Sequence, residues 1–467
     1  MLLAAGVLST GLLLSAPIPK PIAFAPVVLA SVVAFGRWDG DPLYEWIGVA
    51  FVWAGLRAAD RTTWFAALPR HGRDEAAPRV EPSFPPPLAG LVFESHNGDV
   101  DAPGIIVDQA DATVSVVLRV RGRGFALHER AEQDRLLQAW GDALASLCTE
   151  RPLVSKLCWT ETTLPSPRVE RPTARVARDQ SRGGNEAHAA YRALVAASAL
   201  RSTHHETLVS ITVERRRVRP GPRQDSERPY DEDMVLEQAR LLTRRLDAAG
   251  LIVDAPLTTR DLASVCRSRL DPFARSVPGR TLADLAGFVS ARNAGPLAVQ
   301  TDWDHVRVDR SLHSAYVISE WPRLDMPASW LEPLVLHATG IRTLAVHYEP
   351  VRPSSSQRQV DRDSVRLASD EAQRSRSGFR IRARHRRAES DVHEREADLV
   401  AGYAELEYVG FVIVSAADPR SLAESCAEHE QLASQAGVEL RRLDGRHDVA
   451  LACLVPFGRG VASPRFR

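Results

Sequence analysis

The densest group of side chains that could do chemistry lies in the segment Thr301-Asp302-Trp303-Asp304-His305. Two carboxylates and an imidazole could bind a metal ion or serve a hydrolase. On a strand, Asp302 and Asp304 would share one face while His305 would point to the other, and no second ligand cluster is close in sequence. We therefore interpret the segment as a turn with capping Asp side chains, and we expect no metal site and no catalytic site there.

Other catalytic candidates are few. His204, His205 and Glu206 open a predicted strand, and a solvated turn is the interpretation we favour. A phosphate-binding loop needs Gly-x-x-x-x-Gly-Lys-Ser/Thr, but the only two lysines, Lys20 and Lys156, have no such context. Nucleophile-elbow, HExxH and kinase signatures do not occur. The sequence therefore predicts a protein that is not an enzyme and has no cofactor.

Seven arginines form a basic run between Arg374 and Arg387. Such a run could contact phosphate backbones. Acidic residues flank it on both sides, aromatic residues hardly interleave, and the whole chain balances 59 basic against 59 acidic residues. Alternating charge of this kind is typical of a solvated helix, so nucleic acid is not expected as a partner. The candidate interaction surface consists of Arg380, Arg382, Arg384, Arg386 and Arg387.

The elements that position these residues follow an apolar N-terminus. Met1–Pro19 and Pro21–Gly36 carry no charge, and Lys20 lies among prolines between them. A membrane-spanning helix needs about 20 apolar residues, so the two runs predict a helical hairpin in the membrane. A signal segment or single anchor is one alternative, although the expected basic n-region is absent. A buried apolar start is the other.

The positive-inside rule predicts that both ends of the hairpin face the cytoplasm, because several arginines follow it and its turn has one lysine. The Trp-rich stretch Leu43–Leu56 predicts an interfacial helix. A third membrane span and a helix packed on the soluble body remain alternatives. A proline-rich linker, Arg70–Pro87, separates this region from the body.

The remainder of the chain alternates predicted strands and helices, which indicates an α+β fold or an open sheet with helices on one face. Among these elements we predict a strand of alternating polarity at Thr113–Val120 and helices near Asn185–Leu200, at Ser329–Leu336 and at Pro419–Ala436. We divide the chain into a membrane hairpin and interfacial helix (1–65), a linker (66–87), and two α+β domains (88–295 and 296–467). No repeat of fixed period is visible. The second domain ends in a predicted β-α-β-β unit, the compact half of a ferredoxin-like fold, with a closing strand at Val449–Val455.

The five cysteines are scattered through the chain, at Cys148, Cys158, Cys266, Cys426 and Cys453. An odd number without a Cys-x-x-Cys or Cys/His cluster argues against a disulfide framework and against structural zinc. A body in a reducing compartment fits this pattern best.

Segments at both ends of the chain resemble known families. The stretch from Tyr408 to Gly460, with the loop Val455-Pro456-Phe457-Gly458, resembles the N-terminal, non-motor domain of TraC-like type IV secretion ATPases. The apolar start followed by Phe35–Leu43 and a Trp-rich helix resembles PrgI-like proteins. Together with Trp303–His305 and Glu320–Arg323, these features resemble an actinobacterial family of integral membrane proteins of conjugative elements.

This resemblance implies a non-enzymatic structural component of a type IV secretion-like conjugation apparatus in the inner membrane, with its soluble body in the cytoplasm. The implied partners are the membrane, a separate motor ATPase, other subunits of the secretion channel and further copies of the chain. It supplies no catalytic residue. The alternative is a membrane-tethered module that binds DNA or a relaxosome protein through the Arg374–Arg387 run.

Overall fold

The computed structural model describes residues 25–38, 41–66, 79–80, 82–99, 101–165, 203–217, 230–275, 294–322, 326–376 and 383–459. These residues form an α+β structure built on one fourteen-stranded antiparallel sheet, which confirms the predicted fold class. A small ribbon of β1 (Arg37–Trp38) and β2 (Asp41–Pro42) precedes the sheet. The strands of the sheet are β3 (Thr63–Phe65), β4 (Arg79–Val80), β5 (Leu91–Ser95), β6 (Gly104–Asp108), β7 (Thr113–Gly122), β8 (Val154–Pro165), β9 (Thr203–Glu214), β10 (Leu251–Pro256), β11 (Ala298–Thr301), β12 (Val306–Val308), β13 (Ser311–Glu320), β14 (Ile341–Pro350), β15 (Leu406–Ala416) and β16 (Glu439–Arg442).

Helices precede the sheet and lie between its strands. They are α1 (Ala25–Phe35), α2 (Leu43–Ala58), α3 (Arg130–Ala145), α4 (Tyr230–Ala248), α5 (Thr259–Leu270), α6 (Pro353–Arg376), α7 (Ala383–Val400), α8 (Pro419–Gln435) and α9 (Leu451–Leu454). A π-helical turn covers Pro333–His337. Local sequence explains several of these boundaries. For example, α5 begins at a capping box, in which Thr258 and Asp261 satisfy each other's backbone N–H groups.

The sheet consists of two halves with the same topology. Its strand order is β3-β11-β12-β13-β15-β14-β8-β9-β7-β6-β5-β4, and β10 and β16 are joined to β7 and β13 respectively. In the first half β10-β7-β9-β8 are neighbours, and in the second half β16-β13-β15-β14 are neighbours in the same order. The first set follows the chain order strand, helix, strand, strand, helix, strand. The second set has the same strand order, but a π-helical turn replaces its first helix, and α6 and α7 are inserted between β14 and β15. The chain therefore contains a structural duplication.

The strand registers make the duplication specific at the level of residues. They match Thr113–Gly122 in β7 with Ser311–Glu320 in β13, residue for residue. The same matching makes Thr160 in β8 equivalent to Ala345 in β14. These two residues are also direct partners where β8 and β14 pair. A pseudo-twofold axis therefore passes through this pair, at the centre of the sheet.

Both faces of the sheet are covered. Helices α3 and α4 pack on one face of the first half, against Leu118 and Ile211. Helix α8 packs on the same face of the second half. The opposite face carries α5 and α9, and there one cluster joins Val117 of the first half with Phe411 of the second. Because the central strands are covered on both sides, Thr113–Leu118 is buried at every position instead of alternating as its sequence predicts.

Each half sends its C-terminal segment across to the other. At the end of α5, the carbonyl of Leu270 accepts a hydrogen bond from Nε2 of His313 in β13 at 2.9 Å. After α9, Phe457 packs on Phe93 with ring centroids 5.3 Å apart, and Gly458 lies against β7. The two crossings follow the pseudo-twofold axis, so the halves share a hydrophobic core.

The second crossing ends in an ion pair. Arg459 donates two hydrogen bonds to the carboxylate of Asp108, at 2.8 and 2.6 Å, and two more to the carbonyls of Pro87 and Ala89. Both charged side chains are largely buried. A buried pair with its hydrogen bonds satisfied holds the crossing segment in one place.

Two sequence predictions about elements are wrong. The segment Val449–Val455 was expected to be a closing strand, but it contains α9, because a short apolar run cannot distinguish a buried strand from a buried helical turn. The helix expected at Ser329–Leu336 is a π-helical turn at Pro333–His337. The helix expected near Asn185–Leu200 lies outside the described residues.

Candidate membrane-facing surface

Helices α1 and α2 form an apolar pair at one side of the sheet. Helix α1 contains no charged residue, and α2 has none between Glu45 and Arg57. A tight turn joins them: the amide of Leu43 donates to the carbonyl of Gly36 at 2.9 Å. A Cβ at Gly36 would overlap the carbonyl of Val32 and the side chain of Leu43, so only glycine fits this close approach.

The inner side of α2 packs on the body through tryptophans. Trp46, Val49 and Trp53 recur at helical spacing and are half-buried. The ring of Trp53 meets Trp303 edge-on with centroids 5.3 Å apart, and Trp46 lies 6.2 Å from the same ring. Edge-to-face aromatic pairs add about 0.5–1.5 kcal/mol beyond the burial of their area. The helix therefore packs on the body, which was one of the alternatives left open by the sequence.

Trp303 sits at the tip of the β11–β12 hairpin. The amide of Gly445 donates to the carbonyl of Trp303 at 2.7 Å, and a Cβ at Gly445 would lie 2.9 Å from the indole ring. Near the start of α2, Glu45 faces Arg441 at 3.9 Å. The guanidinium carbon of Arg57 lies 5.2 Å from the centre of the Trp53 ring, near the end of the same helix. Contacts along its length therefore fix the helix on the body.

The outer side of the helix pair is apolar and exposed. Phe35 is 74% exposed and Phe51 is 76% exposed. Arg37 and Glu45 are exposed charges close to these side chains in sequence. Large exposed apolar patches mark contacts with membranes or proteins. The exposed apolar side chains of this surface are Val28, Val32, Phe35, Tyr44, Ile47, Phe51 and Val52. We call this set the apolar helix surface.

The predicted membrane hairpin falls only partly within the described residues. Its first run, Met1–Pro19, and the Lys20 turn lie outside them. The second run corresponds to α1, which has 11 residues. Of the helices in the described part of the chain, none has both the length and the apolar character that a bilayer crossing requires.

The Asp302–His305 segment forms a hairpin turn, as the sequence predicts. The amide of Asp302 donates to the carbonyl of His305 at 2.9 Å. One detail is wrong: His305 does not point away from the carboxylates. Its Nδ1 lies 2.9 Å from Asp304 and its Nε2 lies 3.5 Å from Asp302, because the segment turns instead of continuing as a strand. Within the described residues, no cluster of His, Cys, Asp and Glu is arranged to hold a metal.

The carboxylates of Asp302 and Asp304 have their imidazole partner, His305, within the same turn. Burial acts to raise the pKa of Asp304, but the hydrogen bond with His305 and other interactions outweigh it, so the pKa lies below its usual value. The carboxylate is therefore held as an anion beside its own imidazole. This arrangement stabilises the turn.

His205 and Glu206 are not in a solvated turn. His205 lies in β9, and its Nδ1 is 2.7 Å from Oε1 of Glu161 in β8, two positions away across the ladder. The other oxygen of Glu161 accepts from the buried Arg342. Burial acts to raise the pKa of Glu161, but hydrogen bonds and charges from His205 and Arg342 lower it overall.

Glu206 joins a separate pair, in which Arg269 donates to it at 2.7 Å. Arg119 also donates to Glu206, at 3.1 Å through its Nε. His204 and His205 are exposed, whereas Glu206 is half-buried. The prediction of a solvated turn for this group is wrong because strand pairing places distant carboxylates and arginines beside it.

The basic run lies where helices α6 and α7 approach their connection. These helices run antiparallel, and Arg395 in α7 faces Asp363 in α6 at 3.6 Å. Arg384, Arg386 and Arg387 fall in α7, and Arg387 is exposed. Arg380 and Arg382 lie outside the described residues.

No protein-family model matches the chain, and neither does any curated protein.

The residues that sequence reasoning missed are Trp303 as the contact for α2 and Arg459 as the partner of Asp108. The sequence signal for Trp303 was present, since it stands between the two aspartates that drew attention as metal ligands. Gly458 and Arg459 were seen only as part of a loop. No local pattern could link Arg459 with Asp108, because the two are 351 residues apart.

Proposed function

We propose that the protein is a non-enzymatic structural component of a type IV secretion-like conjugative transfer apparatus, held at the inner membrane with its body in the cytoplasm. The resemblance to PrgI-like and TraC-like proteins supports the apparatus. The apolar helix surface supports the location at the membrane, and it is the observation on which the proposal mainly depends. A separate motor ATPase and other channel subunits are the proposed partners.

The physical argument starts from the cost of exposing the apolar helix surface to water. Each fully exposed Phe or Val side chain forgoes about 1.5–3 kcal/mol of burial. The seven side chains of the apolar helix surface are between 37% and 76% exposed, so each forgoes part of this free energy in water, and contact with acyl chains recovers it. Arg57 and Arg61 follow at the end of α2, where cations favour the headgroups of the cytoplasmic leaflet.

The proposal also includes the fold of the N-terminus and of each half of the body. We propose that the N-terminal 36 residues form a membrane hairpin whose second run contains α1, and that α2 follows it. We also propose that each half of the body is a ferredoxin-like unit, since its strand and helix order and its antiparallel strand neighbours are those of that fold. The C-terminal half was expected to have this fold from sequence, whereas the N-terminal half was not.

Fluorescence quenching tests the membrane contact. We would place a single environment-sensitive label at Phe51→Cys or at Leu127→Cys, in a Cys148→Ser background where the remaining four thiols are buried. Leu127 is the matched control because it is 92% exposed and apolar but lies on the body. In liposomes carrying nitroxide-labelled acyl chains, we expect the label at Phe51→Cys to be quenched at least threefold more strongly. Equal quenching at both positions would contradict the membrane contact.

Co-isolation tests the place in a transfer apparatus. The full chain would be purified from conjugating cells in mild detergent, and co-purifying proteins would be identified by mass spectrometry. We expect a motor ATPase that carries its own phosphate-binding loop. Asp302→Ala/Asp304→Ala should support normal transfer, because the proposal needs no chemistry from this chain. Absence of any ATPase partner, or loss of transfer in this variant with assembly intact, would overturn the proposal.

A further inference from the structure

A groove lies at the outer edge of β16. Its cavity is about 500 Å³, and it opens between the end of β13, the end of α8 and the start of β16. The lining residues are Glu320, Trp321, Pro322, Glu430, Ser434, Gly437, Val438, Glu439 and Leu440. We call this feature the β16 groove.

The duplication provides an internal comparison for this groove. Gly437 after α8 corresponds to Gly250 after α4, and both have a positive φ, of 72° and 78°. At Gly250 a methyl of Leu136 from α3 would lie 2.7 Å from an added Cβ, so the first half is filled there. At Gly437 the nearest atom to an added Cβ is 3.5 Å away. The packing beside this glycine is therefore looser in the second half than in the first.

The groove is acidic. Its lining includes Glu320, Glu430 and Glu439, and no Lys, Arg or His is among the described residues that line it. Glu430 accepts a hydrogen bond at 2.8 Å from the hydroxyl of Tyr316, which is a neutral donor. The two arginines of β16 pair with carboxylates outside the groove: Arg442 donates to Asp444, and Arg441 faces Glu45 at 3.9 Å. The groove therefore favours a cation.

One wall of the groove is aromatic. The ring of Trp321 lies between Trp330 and Tyr408, with centroid distances of 6.2 and 5.4 Å. These contacts fix the indole in place. A guanidinium or ammonium group in the groove can stack on such a ring while carboxylates hold its N–H groups.

The strand edge adds directionality. Among the described strands β16 pairs only with β13, so its other edge has backbone groups available to an added strand. Helix α2 reaches the Arg441 end of β16, whereas the groove lies at the Glu439 end. An extended peptide can hydrogen-bond to such an edge while every second side chain enters a pocket beside it.

We propose that the β16 groove binds an extended, basic segment of a partner protein. The segment adds as a strand to β16, and an Arg or Lys side chain enters between Glu430 and Glu439 against Trp321. The inference is independent of the membrane role, because none of these residues belongs to the apolar helix surface. It assigns a peptide-binding site to the second half.

Fluorescence anisotropy with labelled peptides tests the proposal on the full chain in detergent. The probes are Val-Arg-Val-Arg-Val-Arg, its Val-Glu counterpart, and a version of the basic peptide with a central Pro. We expect the basic peptide to bind, the acidic one not to bind, and the Pro version to bind at least tenfold more weakly, because Pro lacks the N–H that strand addition needs. Equal binding of both basic peptides would overturn strand addition.

Variants locate the site. Glu430→Gln/Glu439→Gln should weaken binding of the basic peptide at least fivefold, and Ser434→Trp should do so by filling the groove without changing its charge. The matched control is Glu424→Gln, an exposed residue of α8 outside the groove that pairs with Arg420. Thermal unfolding would verify that each variant is folded. Unchanged affinity in the two groove variants, or an equal loss in the control, would overturn the assignment, as would the absence of any binding.

Discussion

The two halves of the sheet share a topology but differ in what covers them. In the first half, full-length helices α3 and α4 close one face, and Leu136 fills the space beside Gly250. In the second half a π-helical turn stands in the place of α3, and the β16 groove stays open. The repeated sheet therefore serves as a common framework. The β16 groove and the Trp303 contact with α2 lie where the second half differs from the first.

The hairpin tips differ in the same way. By the register of β6 and β12, Pro103 at the base of the longer β5–β6 turn corresponds to Trp303 in the second half. Pro103 forms an isolated bridge with Thr258, which closes the tip on its own half. Trp303 instead receives Trp46 and Trp53 from α2. A single aromatic residue at a turn thus gives the second half its contact with the apolar helix pair.

The largest effect is expected where one half crosses to the other. Gly458 has a φ of 76°, and a Cβ there would overlap the hydroxyl groups of Ser115 and Thr212. Left-handed strain and overpacking together predict that Gly458→Ala lowers the free energy of unfolding by about 3–5 kcal/mol. Gly402→Ala is the control, since its φ is 92° but no atom lies within 4 Å of an added Cβ. In denaturant unfolding, Gly402→Ala should lower the free energy of unfolding by only about 1 kcal/mol, because the left-handed strain acts alone there. An equal loss in Gly402→Ala and Gly458→Ala would show that the segment at Gly458 is not tightly packed.

A smaller effect is expected at the hairpin tips. Trp303→Ala removes the ring that Trp46 and Trp53 contact, and we expect a loss of about 2–3 kcal/mol in the attachment of α2. Hydrogen exchange of the α2 amides in the full chain measures that attachment. Pro103→Ala, at the equivalent tip, should leave exchange in α2 unchanged. Similar exchange in both variants would show that Trp303 does not hold the helix.

The crossing of the first half, where His313 in β13 donates to the carbonyl of Leu270, should be sensitive to acid. Burial lowers the pKa of His313 to about 4, and the equivalent residue in the first half is Ser115, which cannot titrate. Below a pH of about 6.5 the unfolded chain binds a proton that the folded chain refuses, so stability falls as the pH drops toward 4. Between pH 7 and 5 this histidine should account for about 2 kcal/mol.

His313→Gln tests that assignment. It should flatten the pH dependence of denaturant unfolding by about this amount, while Ser115→Ala should leave the slope as it is. His347 is also buried, with its pKa lowered to about 4, so part of the acid sensitivity should persist in His313→Gln. A slope that His313→Gln does not change would place the acid sensitivity elsewhere.

The smallest effect is expected from the carboxylates that first suggested a metal site. Asp302 and Asp304 contact His305 at the surface, so Asp302→Ala should cost less than about 1 kcal/mol. Asp99→Ala, in the corresponding turn of the first half, is the control and should behave alike. Thermal unfolding with and without divalent metal measures both. Stabilisation of the unmodified chain by metal, lost in Asp302→Ala, would reverse our interpretation of the turn.

Much of the secondary structure was predictable because strands and amphipathic helices leave local patterns. The prediction of Thr113–Val120 differs from β7 by two residues at one end, and the prediction of Pro419–Ala436 differs from α8 by one. The duplication was not predictable. Its halves share burial and register, but equivalent positions hold different residues, such as Ser115 and His313, so no sequence period reveals it.

The sequence by itself determined the class of the fold, the apolar character of α1 and α2, and the absence of the catalytic signatures. These follow from composition and from spacing over a few residues. Only the tertiary structure decided which surface of α2 faces outward, that Glu161 meets His205 and Arg342, and that Arg459 closes on Asp108. Those contacts join residues far apart in the chain, and their free energy depends on burial, which a linear pattern does not record.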